Sequence, residues 1–592
     1  MLDRPRAWHR GGDRRVRHGP LQGHAPYTDC MLLIALWVFA LALVNPTGDF
    51  PLNDDWSFAH AVKALLDTGE FRPTGWTSMT LLMQTLWGAL FCLPAGFSFD
   101  ALRLSSLVAG AAGIVATYLL TLELRGPRWF AVLAATCCGF SPLYFSLSHT
   151  FMTDAPFTAL TTFSAVFFVR ALRTDSSSSL VAATLLAVAA TLTRQLAVAL
   201  PIAFALSMLL HRGVARRNLM RALAPALCSA GALLAFQHWL AGAGAGRTPA
   251  LHDRFTAVLL SALGDVGTLR KAAVDGYVAL LYVGLFVLPA LSAIEWNRVE
   301  GGSGRRSGWF AMALGGATVL AATALLWVSP GPSPQSMPVT SRLGIGNVLV
   351  PSGIGPLTLA HHNVWGLPAI PGGFWIVVNA CALAAGALLV GAVSLHGSRI
   401  VSARPERKLG KLEDTEAAAF FLLLTVTVYL LPLLATGFFD RYLIPVLPLV
   451  AASLAQLVPR RISVRSALLP SLSMACVLLF SVAATRDYLE WNRTRWRVLG
   501  ELAQRGIGPE RIDGGFEFNG WHLYDPGYRP EPPRSWWWVH DDAYKVTFGP
   551  LPFGPLPGYQ VRAEYRFPRL LQSTAGRMVV QERISPSRTD EE

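Results

Sequence analysis

Long apolar runs separated by short polar turns dominate the chain. No Asp, Glu, Lys or Arg occurs in 30–48, 104–122, 129–153, 222–246, 276–294, 343–398, 417–439 or 466–485. A helix needs about 20 consecutive apolar residues to cross the hydrocarbon core of a bilayer. The runs predict spans near 31–46, 101–122, 129–148, 156–170, 180–193, 196–211, 222–240, 276–294, 309–328, 373–395, 417–436, 442–458 and 466–485. So many apolar segments cannot be packed into one soluble core. The pattern therefore predicts an all-α polytopic membrane protein with about 13 transmembrane helices.

One further apolar stretch, 79–97, decides the sidedness of everything after it. It carries polar Gln84 and ends in Pro94, Ala95 and Gly96. If it does not cross, the arginine-rich N-terminus shares a side with Arg212, Arg216, Arg217 and Arg221, and with Arg399, Arg404, Arg407, Lys408 and Lys411. Cytoplasmic loops carry the excess of Lys and Arg, so 79–97 is expected to dip into or lie on the outer face. The expected organisation is a cytoplasmic basic N-terminus (1–29) and a membrane bundle (30–485) with outer loops 47–100, 149–155, 241–275 and 329–372. An extracytoplasmic C-terminal region (486–592) follows, long enough for a small outer domain. The protein is expected in the plasma or inner membrane, with its N-terminus cytoplasmic.

Composition agrees with this reading. Of the 592 residues 52% are hydrophobic and 15% charged, against about 25% charged in soluble chains. The net charge of +13 sits in short loops, which argues for a lipid bilayer and against nucleic acid as the partner. The seven cysteines lie in or beside apolar segments and form no metal-ligand spacing, so neither a metal nor a disulfide framework is expected.

Polar residues at the outer rim are the candidates for chemistry, because an ionisable group at a bilayer boundary is expensive to keep. Asp54 and Asp55 follow the first span and open an amphipathic helix; they suit helix capping or catalysis. Asp154, just before Pro156, has the same two readings. Arg441, beside Asp440, and Arg194, in the break between two spans, suit binding of a phosphate or pairing at the interface. Tyr442 and His149 join the substrate-binding candidates, His149 as a group that orients the substrate. Arg103 reads as a structural anchor. No Walker loop, GxGxxG, HExxH or GxSxG motif is present, so no nucleotide and no cofactor is expected, and a sugar donor would arrive as a lipid. In the tail, the run Trp536–Trp538 and FEFNGW suit stacking on sugars, a small-domain core or a membrane-facing edge.

Four stretches carry a resemblance: NDDW with the following TGEF, LRLSSLVAG, SHTFMTDAPF and DRYLIPVLP. Their order and spacing over roughly 30–460 resemble the GT-C membrane glycosyltransferases, above all the dolichyl-phosphate-mannose protein mannosyltransferase family and the bacterial lipid A aminoarabinose transferases. The resemblance implies a GT-C-like bundle with a dipping or juxtamembrane helix in the first outer loop. It also implies inverting transfer of a sugar from a polyprenyl-phosphate-linked donor to a glycan, lipid or protein acceptor. The first acid of the pair would be the base, with Asp55 and Asp154 counted as catalytic partners. The family's Asp-Glu pair is Asp54-Asp55 here, and its His-Pro-Pro motif and luminal repeats are absent, which disfavours protein O-mannosylation. A transporter or flippase of lipid-linked glycans is the alternative, but it would need ionisable residues deep inside the spans.

Overall fold

The structure is a computed structural model that describes residues 25–242, 266–296, 306–328, 348–361, 366–402, 413–529 and 537–584. Most of the expected N-terminal segment, large parts of outer loops 241–275 and 329–372, and Trp536 lie outside the described residues.

The helices, in chain order, are α1 (Ala25–Val44), α2 (Asp55–Thr68), α3 (Leu82–Cys92), α4 (Phe99–Glu123), α5 (Arg128–Gly139), α6 (Pro142–Ser148), α7 (Asp154–Thr174), α8 (Ser177–Thr191), α9 (Ala199–Arg212) and α10 (Arg216–Gly242). They continue with α11 (Val266–Phe286), α12 (Leu288–Leu291), α13 (Arg306–Val328), α14 (Gly372–Ser402), α15 (Asp414–Thr436), α16 (Leu447–Ser453), α17 (Val464–Gln504) and α18 (Phe516–Leu523). Among the described residues, nine helical segments are long and apolar enough to cross a membrane, or ten if the pair α5–α6, bent by 64°, is one span. The fold is thus a polytopic helical bundle, but the count of thirteen is not reached on length and composition. α8 has only 15 residues. The stretch expected to span at 442–458 is a seven-residue helix between two 3-10 segments. Pro445 and Pro448 interrupt it, since proline lacks the N–H that a continuous helix needs.

Packing is close where the LRLSSLVAG stretch crosses its neighbours. A Cβ on Gly110 would lie 2.7 Å from the Ser148 hydroxyl and 2.8 Å from the Trp37 ring, so only glycine lets α1, α4 and α6 approach this closely. α3 has 11 residues, about 16 Å of rise, half of what a span requires. Its entry is pinned where Leu81 N and Met83 N donate to Thr193 O and Leu192 O, while Leu86, Leu90 and Leu93 remain exposed. An apolar helix too short to cross, held at the end of the bundle, matches the expected dipping element.

Two ends of the bundle differ in chemistry. One gathers arginine pairs: Arg128 with Asp29, Arg170 and Arg173 with Glu123, and Arg217 and Arg221 with Asp175. The other gathers the acid-bearing breaks, and Arg103 organises it. From α4 the Arg103 guanidinium donates to His149 O (2.9 Å), Pro46 O (2.8 Å), Gly48 O (2.6 Å) and Phe50 O (2.9 Å). This ties the start of the first acidic loop to the turn before α7.

α17 runs for 41 residues, about 60 Å, roughly twice a bilayer core. The boundary expected at 485 therefore falls inside a continuous helix that carries the chain out of the bundle. The C-terminal region forms the small domain expected after the bundle, and that domain is built around strands. It holds a four-stranded sheet built from β3 (Ile512–Asp513), β4 (Tyr544–Gly549), β5 (Tyr559–Phe567) and β6 (Gly576–Arg583), ordered β3-β4-β6-β5; the short hairpin Leu349–Val350 with Gly353–Ile354 supplies β1 and β2. Trp537 and Trp538 are buried with Trp56 and Phe516, so these rings form a core and not an open stacking surface.

Arg103 replaces several backbone hydrogen bonds at once. Arg103→Leu is expected to lower stability by about 3 kcal/mol or more, since buried carbonyls lose their donor. Thermal melting of the detergent-solubilised protein checks this, and an unchanged melting temperature contradicts it.

Candidate active site

Four charged side chains from four separate elements meet at the acid-bearing end. Asp54 is the residue before α2; its carbonyl accepts from Ser57 N and Phe58 N, but its carboxylate makes no capping hydrogen bond. Instead Asp54 Oδ1 accepts from Trp76 Nε1 (3.1 Å) and Oδ2 from Arg441 Nη2 (3.2 Å). Asp154 is the first residue of α7. Its Oδ1 accepts from Arg194 Nη1 at 3.0 Å, and its Oδ2 lies 4.0 Å from Arg441 Nη1. The order is therefore Asp54, Arg441, Asp154, Arg194, with the signs alternating. Side-chain exposure falls from 17% at Asp54 to 5%, 0% and 4% along this series.

Tyr442 completes the cluster. Its ring lies 5.1 Å from the Arg194 guanidinium and 5.4 Å from that of Arg441, a cation–π arrangement that holds two like charges beside one ring. The 3-10 turn Asp440–Val446 presents Arg441 and Tyr442 because Asp440 faces the other way. The Asp440 carboxylate accepts from Arg441 N (2.7 Å), Val348 N (3.0 Å) and Leu349 N (2.8 Å). Burial pushes it up to about 6 against those N–H donors. Arg441 thus pairs with Asp54 across the site and not with its neighbour.

Among the described residues three buried atoms of this cluster have no hydrogen-bond partner: Asp154 Oδ2, Arg194 Nη2 and Arg441 Nε. Buried polar groups are nearly always satisfied. Two unsatisfied donors on adjacent guanidiniums match the needs of a phosphoryl oxygen pair.

Two expected residues are not part of this group. Asp55, one position along α2, turns into the protein, where its Oδ2 accepts from Leu52 N at 3.2 Å. Burial pushes its carboxyl up to about 8, opposed by backbone N–H groups of Phe151 and Leu52 and by Arg103. His149 is buried beneath the site, with Nδ1 2.8 Å from Phe145 O; burial pushes its imidazole down to about 4. Sequence reasoning missed Trp76 and Met152, whose Sδ lies 3.8 Å from Arg441 Nη1. A tryptophan in a polar loop was the only signal for the first; the second lies inside SHTFMTDAPF but reads there as an ordinary apolar residue. Among the described residues no three His, Cys, Asp or Glu gather as a metal-binding group.

Comparison with known proteins adds the following. The family model of the dolichyl-phosphate-mannose-protein mannosyltransferases matches residues 78–241, which include the LRLSSLVAG and SHTFMTDAPF stretches but not NDDW or DRYLIPVLP. No curated protein matches the chain. Among solved structures the chain is similar to ArnT from Cupriavidus metallidurans bound to undecaprenyl phosphate, at 15% identity over 94% of this chain and 99% of that one, with a TM-score of 0.38. It is similar to the archaeal oligosaccharyltransferase AglB from Archaeoglobus fulgidus, in complex with an inhibitory peptide and a dolichol-phosphate, at 13% identity over 86% and 62%, with a TM-score of 0.43. It is also similar to the S. cerevisiae Pmt1-Pmt2 complex bound to the sugar donor, at 14% identity over 36% and 33%, with a TM-score of 0.28. The resemblance to membrane glycosyltransferases carried by the sequence motifs thus has a counterpart in the family model.

The Asp55 carboxyl yields a pH prediction. Its folded-state pKa of about 8 lies above the ordinary carboxylate value of about 4. The folded state therefore holds the proton more tightly, a contribution fully present below about pH 4 and lost as pH rises through 8. Asp55→Asn should remove this decline. Melting temperatures of both proteins across that range check it, and parallel pH profiles contradict it.

Proposed function

We propose that the protein is an inverting glycosyltransferase that moves a sugar from a polyprenyl-phosphate donor to a hydroxyl of a glycan, lipid or protein acceptor on the outer face of the membrane. The observation that carries this is the buried chain Asp54–Arg441–Asp154–Arg194, with unsatisfied donors on both arginines. The family model over residues 78–241 names a lipid-phosphate-sugar donor. The gathering of arginine-rich turns at the opposite end of the bundle supports an outer location for the site.

In this reading Asp54, the most exposed of the four, accepts the proton of the acceptor hydroxyl. The hydroxyl oxygen forms its bond to the anomeric carbon as the bond from that carbon to the phosphate oxygen breaks. The electron pair of the broken bond leaves with the lipid phosphate. Attack opposite the leaving group inverts the centre. Arg441 Nε and Arg194 Nη2 donate to the phosphate as negative charge grows on it, stabilisation that is strongest where water is excluded. Asp154 holds the two guanidiniums in register, and the Trp76 indole and Arg441 fix the Asp54 carboxylate on either side.

The test is transfer of label from radiolabelled polyprenyl-phosphate sugars in membranes that carry each variant, with products identified by mass spectrometry. Asp54→Asn is expected to slow transfer by about 10²–10⁴-fold, the usual contribution of a general base. Asp55→Asn should stay within about threefold of wild type, far below such a contribution, because Asp55 faces away from the cluster. Full transfer by Asp54→Asn sinks the base assignment.

A further inference from the structure

The C-terminal region is wired to the backbone of the first acidic loop through Glu517 of α18. Asn53 N donates to Glu517 Oε1 at 2.9 Å, and Thr358 Oγ1 donates to the same oxygen at 3.0 Å. Glu517 Oε2 accepts from Arg495 Nη1 of α17 at 2.7 Å, and both side chains of this pair are fully buried. Arg495 is itself fixed, through Nε to Gly514 O at 2.8 Å and Nη1 to Thr358 Oγ1 at 3.2 Å.

The point of attachment matters because Asn53 immediately precedes Asp54. Asn53 has φ of 58°, a left-handed conformation that a residue with a side chain adopts rarely and keeps only when its surroundings impose it. That turn sets the direction in which α2 starts, and with it the direction of the Asp54 carboxylate. The second hold on Asp54 also leads to the C-terminal region. Trp76, which donates to Asp54, packs 5.3 Å from Trp538 and 5.6 Å from Phe516, centroid to centroid.

A buried ion pair contributes little net stability compared with apolar packing. The cluster of Trp56, Phe516, Trp537 and Trp538 already holds the region to α2 by apolar contact. What the Arg495–Glu517 pair adds is an acceptor oxygen at a fixed place beneath Asn53. We propose that Glu517 is a positioning residue for transfer: it holds the Asn53 turn and thereby aims Asp54 at the acceptor hydroxyl. This inference rests on Asp54 acting as the base.

Two charge-neutral double variants of the full-length protein separate positioning from folding. Arg495→Met/Glu517→Gln keeps an amide oxygen for Asn53 N–H; Arg495→Met/Glu517→Met does not. Both lose the bond to Gly514 O equally. With the polyprenyl-phosphate sugar that the wild type uses, the Gln pair should stay within about threefold in kcat. The Met pair should lose about 10–100-fold in kcat, the scale of a misplaced catalytic group, with donor KM little changed. Hydrogen–deuterium exchange of peptides covering 50–58 should speed up in the Met pair only. Glu517→Asp keeps the charge beside Arg495 and shortens the reach by one methylene. It should show the same kcat loss and faster exchange, and it covers the case in which the Met pair does not fold. Equal kcat in the two double variants, or wild-type kcat and exchange in Glu517→Asp, overturns the proposal. So does a kcat loss without faster exchange. Wild-type transfer by Asp54→Asn would overturn the base assignment separately, and the exchange measurement would still decide whether Glu517 holds the loop.

Discussion

Charges taken out of water at the edge of an apolar bundle must find each other. Each buried ion costs several kcal/mol unless a partner and hydrogen bonds offset it. Asp54, Arg441, Asp154 and Arg194 meet this demand only as a chain of alternating sign, and each comes from a different element: the start of α2, the 3-10 turn after α15, the start of α7 and the break between α8 and α9. Convergence of these four ends is therefore a condition on the whole bundle. The same constraint explains why the cluster is incomplete. Among the described residues two guanidinium donors and one carboxylate oxygen remain unsatisfied, and the oxygens of a bound phosphate would take up the two donors.

Holding four ends together takes backbone anchors as well as ion pairs. Arg103 gathers four carbonyls from the first loop and the turn before α7. Asp440 gathers three N–H groups, one from its own turn and two from Val348 and Leu349 at the start of β1. Each uses a charged side chain to satisfy irregular backbone, which inside an apolar protein has no water to turn to. The site therefore sits on scaffold residues whose charges are spent on the main chain, leaving Arg441 and Arg194 to pair with Asp54 and Asp154 beside the Tyr442 ring.

Much of this was legible in the sequence, because the bilayer demands a pattern that composition cannot hide. The apolar runs gave most of the helices, and the 79–97 stretch is the short apolar helix its breakers suggested. The rim positions of Asp54, Asp154, Arg194 and Arg441 followed from where charge interrupts those runs. What could not be read was direction. Asp54 and Asp55 are neighbours, but successive residues on a helix point about 100° apart, so one enters the cluster and the other the core. Arg441 stands beside Asp440 in sequence yet pairs with Asp54, because Asp440 is engaged by main-chain N–H groups from a distant loop. Residues 442–458 are as apolar as a span, but two prolines break them. The role of Glu517 depends on contacts across more than 460 positions, which no local pattern records.

The account stands on the two arginines forming a binding place for a lipid phosphate at the outer end of the bundle. A structure of the protein in nanodiscs, with a polyprenyl phosphate bound, tests this most directly. The account predicts phosphate oxygens within hydrogen-bonding reach, about 3 Å, of Arg441 Nε and Arg194 Nη2, with Asp54 on the side from which an acceptor would approach. A phosphate seated elsewhere, with the Asp54–Arg441–Asp154–Arg194 chain unchanged and untouched, would contradict it.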